Sequence, residues 1–115
     1  TAALIHASIF LGAYSAGIDD NETLRHLTDY SLHIGLAFQI QDDILDIESD
    51  TATLGKPARS DIEQHKATYP SVCGLEASKN MAQEHFEKAC LALKNIDANT
   101  DTLLAIAQQM AHRSF

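Results

Sequence analysis

The chain has 115 residues, 45% hydrophobic and 21% charged, which is enough apolar content for a packed core of modest size. Its net charge of −8 and pI near 5.0 argue against a nucleic-acid partner, whose phosphates require a basic face. Cys73 and Cys90 lack CxxC or His spacing and read as buried structural thiols of a reducing compartment, and no apolar run nears the ~20 residues of a membrane span.

Residues 1–16 carry Leu4, Ile5, Ile9, Phe10, Leu11 and Tyr14 with few polar positions, which predicts a buried helix. The chain lacks an initiator Met and opens directly in this pattern with no capping residue, so it reads as a piece of a longer protein. Gly17 suits the left-handed position just past the helix end. Asp20 or Asn21 can cap a second, long helix from about Glu22 to Ile47, whose apolar positions include Leu24, Leu27, Ile34, Ala37, Phe38 and Leu45. Gly35 interrupts it at about 1 kcal/mol relative to Ala, so another helix is expected to approach closely there.

Ser49 to Ala67, with Gly55, Pro57 and mixed charge, reads as a loop. Structureless segments of that length in compact domains are usually functional or disordered, and Lys56, Arg59 and Lys66 favour function here. Pro70 begins a short helix, Gly74 ends or bends it, and Tyr69-Pro70 reads as structural, with an extended residue before the proline. Leu75 to about Lys94 is amphipathic through Met81, Phe86, Ala89 and Leu93, and a last helix runs from about Thr102 to His112. No strand signal, internal repeat or low-complexity tract is present, so the fold class is all-α. The six histidines show no HxxxH or HExxH spacing and read as scattered surface residues.

The stretch Phe38-Gln39-Ile40-Gln41-Asp42-Asp43-Ile44-Leu45-Asp46 carries the chemistry. On a helix, Gln39, Asp42, Asp43 and Asp46 fall within an arc of about 100°, while Leu36, Phe38, Ile40, Ile44, Leu45 and Ile47 cover most of the rest. Taken alone, these acids and Glu48 and Asp50 could be a solvated face, but their apolar company argues for a carboxylate stripe opening on a cavity. Such a stripe near a helix C-terminus repels itself and opposes the macrodipole, so a cation must compensate. Oxygen ligands without a His or Cys partner suit Mg²⁺, which is typically shared between carboxylates, waters and substrate phosphates. An EF-hand reading fails on spacing and on the missing glycine.

FQIQDDILD, followed ten residues after its last aspartate by the lysine of Gly55-Lys56-Pro57, and ten residues later by Lys66-Ala67-Thr68-Tyr69-Pro70, closely resembles the second aspartate-rich region of the trans-isoprenyl diphosphate synthases. The look is closest to the bacterial farnesyl diphosphate synthase branch, and the resemblance covers the whole chain as the C-terminal portion of a single synthase domain. It implies an all-α fold around a central cavity, with a first aspartate-rich motif, absent here, across the mouth from the second. It implies Mg²⁺-dependent head-to-tail condensation of an allylic diphosphate with isopentenyl diphosphate, in which the departing diphosphate accepts the proton and no side-chain base is needed.

By the same resemblance Asp42 is the direct Mg²⁺ ligand, with Asp43 and Asp46 in support and Asp61 holding a metal-bound water. Gln39, Lys56, Lys66 and Thr1 contact the allylic diphosphate, and Phe38 lies near the reacting end of the homoallylic substrate. Without it, Lys56 and Lys66 would be solvated loop lysines, Thr1 a chain end and Phe38 a core residue. A homodimer is implied for the whole enzyme, the cytoplasm is the default location in the absence of a span or signal pattern, and the 115 residues alone are expected to be inactive. A longer-chain polyprenyl synthase, or a non-catalytic helical subunit of one, is the alternative; the intact Asp42, Asp43, Asp46, Lys56 and Lys66 favour the catalytic reading.

Overall fold

A computed structural model of the chain describes residues 2–52 and 68–112, with the backbone alone for 49–52. Five helices follow one another: α1 (Ala2–Ser15), α2 (Asn21–Ala52), α3 (Tyr69–Cys73), α4 (Leu75–Lys94) and α5 (Asp101–His112). There is no strand among the described residues. The long dimension of 49 Å is set by α2, whose 32 residues span about 48 Å at 1.5 Å per residue.

The core is a seam along α2. Leu27, Tyr30, Ile34, Ala37, Ile40 and Ile44 recur at helical spacing and are almost fully buried. Their principal partner is α4, which presents Ala82, Phe86, Ala89 and Leu93; Ala107 of α5 and Ala13 of α1 complete the cluster. Tyr30 ties the seam to α5, its hydroxyl donating to the Leu103 carbonyl oxygen at 2.8 Å. Burial pushes the Tyr30 phenol up to about 12.

The connections are built as the residue types dictate. At the end of α1, Ile18 N–H bonds to Ala13 C=O and Gly17 N–H to Tyr14 C=O, both at 3.0 Å, with Gly17 at φ 81°. This paired closure needs the left-handed backbone that glycine adopts without cost, and it returns Ile18 to the core beside Ala13. Asp20 caps α2, its Oδ2 accepting from Thr23 N–H at 2.9 Å. Hydrogen bonds from the Thr23 side chain and backbone hold its carboxyl below the usual value.

Four expectations need correction. The first helix is not buried: Leu4, Leu11 and Tyr14 are largely exposed and Ala13 is its one buried residue. Its apolar side chains surround the helix, so one neighbouring helix cannot cover them all. The second helix does not stop at Ile47 but continues to Ala52, because no proline or glycine intervenes before Gly55. Cys73 is exposed and Cys90 half-buried; burial raises the Cys90 pKa. Finally, the extended residue near Pro70 is Thr68 (φ −114°, ψ 163°), because Thr68 caps a helix that already includes Tyr69.

Candidate active site on the second helix

Opposite the core face, α2 carries Gln39 and Asp42, both exposed, and Asp43 and Asp46, both half-buried. They share one side because the residues between them, Ile40 and Ile44, are drawn into the seam. Since α2 runs on to Ala52, Asp46 lies more than one turn before its end, and the macrodipole cost anticipated for the stripe is smaller than a terminal position would impose.

Asp43 ties the stripe to another element. Its Oδ2 accepts the backbone N–H of Tyr69 at 3.1 Å, bridging 26 positions of sequence. Around that contact the turn is closed by a capping box: Ser71 N–H donates to Thr68 Oγ1 at 3.2 Å, and Thr68 N–H to Ser71 Oγ at 2.8 Å. Thr68 and Pro70 are buried against α2 and α4. The Thr68-Tyr69-Pro70 part of the sequence motif therefore sits directly on the carboxylate stripe. At the far side of α3, Gly74 turns the chain at φ 89° and its carbonyl accepts both Ser78 N–H (3.0 Å) and Ser78 Oγ–H (2.8 Å).

Two residues past Asp46, Glu48 is reached by Lys79 of α4 at 2.9 Å, and this contact raises the lysine pKa. Both side chains are more than a third exposed, so the pair adds little stability. Phe38, half-buried, lines an apolar cavity of about 380 Å³ with Leu4, Ile5, Tyr30, Ile34 and Leu103.

The donor set of the stripe is all oxygen and suits Mg²⁺ in kind. It is not a cage: among the described residues no three or more His, Cys, Asp or Glu side chains converge to hold a metal ion. A hard cation held by one or two carboxylates and completed by water and phosphate oxygens fits this arrangement, whereas an all-protein site does not. Thr1, Lys56, Asp61 and Lys66 lie outside the described residues.

One pairing had no sequence signal. His33 of α2 and His85 of α4, 52 positions apart, face each other with Nδ1 atoms 2.9 Å apart and rings stacked at 5.2 Å. They are half-buried at the main helix interface rather than scattered on the surface. Neither sits on a spacing motif, and only the packing of α4 on α2 brings them together.

Comparison with known proteins matches residues 1–108 to the Polyprenyl synthetase family. The chain is 43% identical to farnesyl diphosphate synthase of Escherichia coli (strain K12) over 99% of its length, and 40% identical to farnesyl diphosphate synthase of Geobacillus stearothermophilus over 98%. It is also 40% identical, over 98% of its length, to the chloroplastic heterodimeric geranylgeranyl pyrophosphate synthase large subunit 1 of Arabidopsis thaliana. It spans 39%, 38% and 30% of those relatives. No helix among the described residues is long and apolar enough to cross a membrane. The chain, all-helical and matched over nearly its whole length, belongs to the polyprenyl synthetase family.

Proposed function

We propose that this chain supplies the second aspartate-rich side of an isoprenyl diphosphate synthase site, and that the whole protein condenses an allylic diphosphate with isopentenyl diphosphate to a farnesyl-class product. The observation that carries this reading is the contact of Asp43 with Tyr69, which seats the Thr68-Tyr69-Pro70 turn on the stripe of Gln39, Asp42 and Asp46. Two of the three relatives described above are named farnesyl diphosphate synthases.

In this reading Asp42 is the principal Mg²⁺ ligand, with Asp46 in support and Asp61 holding a metal-bound water; Asp43, whose Oδ2 accepts the Tyr69 N–H, backs the stripe by holding that turn. Mg²⁺, when bound, supplies Lewis-acid pull on the leaving diphosphate and a template for it. Gln39 and Thr1 orient that diphosphate, and Phe38 lies toward the reacting end of the homoallylic substrate. Lys56 and Lys66 neutralise an anion that grows more negative as the carbon–oxygen bond breaks, which is where a fixed charge lowers the barrier. The exposed apolar side chains of α1 need further partners, and the 115 residues alone should be inactive. We place the whole protein in the cytoplasm as a homodimer.

The test is an assay of the complete protein with dimethylallyl or geranyl diphosphate, isopentenyl diphosphate and Mg²⁺, the products being separated by chain length. Farnesyl diphosphate formation that stops on chelation is expected. Binding of both substrates with no condensation would favour a non-catalytic subunit instead.

A further inference from the structure

At the start of α3 nearly every backbone donor is met within the turn. Thr68 N–H is taken by Ser71 Oγ, Ser71 N–H by Thr68 Oγ1, and Val72 N–H by the Thr68 carbonyl; Pro70 has no N–H. The four N–H groups at a helix start have no partner within the helix, and every one here is met locally except that of Tyr69. That one is met by Asp43 Oδ2 across 26 positions of sequence. Thr68 and Pro70 are buried while Tyr69 and Asp43 are half-buried beside an open cavity that Val72 and Cys73 also line, so without the carboxylate this N–H turns to solvent and the turn loses its tie to α2.

We propose that the main contribution of Asp43 is that of a positioning residue: it pins the Thr68-Tyr69-Pro70 turn to α2 and so fixes where the chain re-enters the site after leaving the carboxylate stripe. This rests on the reading of the stripe as a metal–diphosphate surface. It divides the adjacent aspartates by role. Asp42, exposed on the stripe, serves the ion, while Asp43, half-buried and a further 100° round the helix, serves the backbone of α3. What the tether requires is an acceptor oxygen, not a charge. An asparagine in the same rotamer offers its amide oxygen to the Tyr69 N–H; an alanine offers nothing.

The experiment compares Asp43→Asn, Asp43→Ala and Asp42→Asn in the complete protein. It reads kcat/KM for the allylic diphosphate, the Mg²⁺ concentration at half-maximal rate, and hydrogen exchange of residues 68–72. Asp43→Ala is expected to lower kcat/KM by about 10- to 100-fold, the range for a supporting residue, and to speed exchange at 68–72. Asp43→Asn should recover most of both losses with little change in Mg²⁺ requirement. Equal losses in the two variants with a raised Mg²⁺ requirement would overturn the proposal and make Asp43 a ligand. Unchanged exchange in Asp43→Ala would overturn it as well. If Asp42→Asn were harmless, the metal reading of the stripe would fall, while exchange in the two Asp43 variants would still decide whether the tether exists.

Discussion

Gly35 of α2 lies so close to Ala2 of α1 that a Cβ added to it would stand 2.8 Å from the Ala2 Cβ and 3.0 Å from its Cα. The glycine is a packing requirement, since its φ is not positive and any residue could adopt the backbone. Gly35→Ala should therefore destabilise by about 1–3 kcal/mol of overpacking, offset in part by the ~1 kcal/mol that alanine gains in helix propensity. Gly12, inside α1 with nothing near its missing Cβ, supplies the contrast. Gly12→Ala should stabilise by up to about 1 kcal/mol. Thermal unfolding of the two variants checks the opposite signs.

Tyr30→Phe removes the donor to the Leu103 carbonyl while keeping the ring, and should cost about 0.5–1.5 kcal/mol. The pH dependence has a definite sign. A phenol raised to about 12 when folded holds its proton longer than in the unfolded chain, so its contribution is intact below the ordinary value near 10 and is lost as pH rises toward 12. Unfolding curves across that alkaline window should fall more steeply for the parent than for Tyr30→Phe.

The His33–His85 pair makes the opposite prediction on the acid side. Burial first, then His85 and Lys88, lower the His33 pKa, against the attraction of Asp29. A histidine depressed in the folded state binds fewer protons there than when unfolded. Its contribution is present above the ordinary value near 6.5 and is lost as pH falls through the folded value. The melting temperature should drop between pH 7.5 and 5.5, and His33→Gln should flatten that drop. A slope unchanged by the substitution would place the acid sensitivity elsewhere.

The fold was legible wherever apolar spacing was long and punctuation strong. Leu27, Ile34 and Ala37 announced the buried face of α2, Gly17 and Asp20 announced the break before it, and Gly35 announced a close helix approach whose partner, α1, the spacing left open. Residue spacing also showed that Gln39, Asp42, Asp43 and Asp46 share a side. It could not show that one oxygen of Asp43 is spent on Tyr69, or that His33 meets His85, because both depend on how α3 and α4 return to α2. The exposure of α1 was missed because a helix apolar all round reads as buried whether or not its neighbours are at hand.

Lys56 and Lys66 give a prediction independent of the aspartates. Each lysine replaced by alanine should lower kcat/KM for the allylic diphosphate by orders of magnitude, because the charge acts most on the developing anion. Isopentenyl diphosphate binding should hardly change. A loss confined to isopentenyl diphosphate binding would assign the lysine to the other substrate.

The claim that the stripe on α2 is the metal–diphosphate surface is tested most directly by the steady-state rate of the complete protein as a function of Mg²⁺, for the parent, Asp42→Ala and Asp46→Ala. Asp42 is exposed, so its loss should leave the melting temperature close to that of the parent. Asp42→Ala should lower the rate at saturating Mg²⁺ by about 100-fold or more, and Asp46→Ala should be milder. Equal and small losses from both substitutions, with the parent's Mg²⁺ requirement unchanged, would contradict that claim.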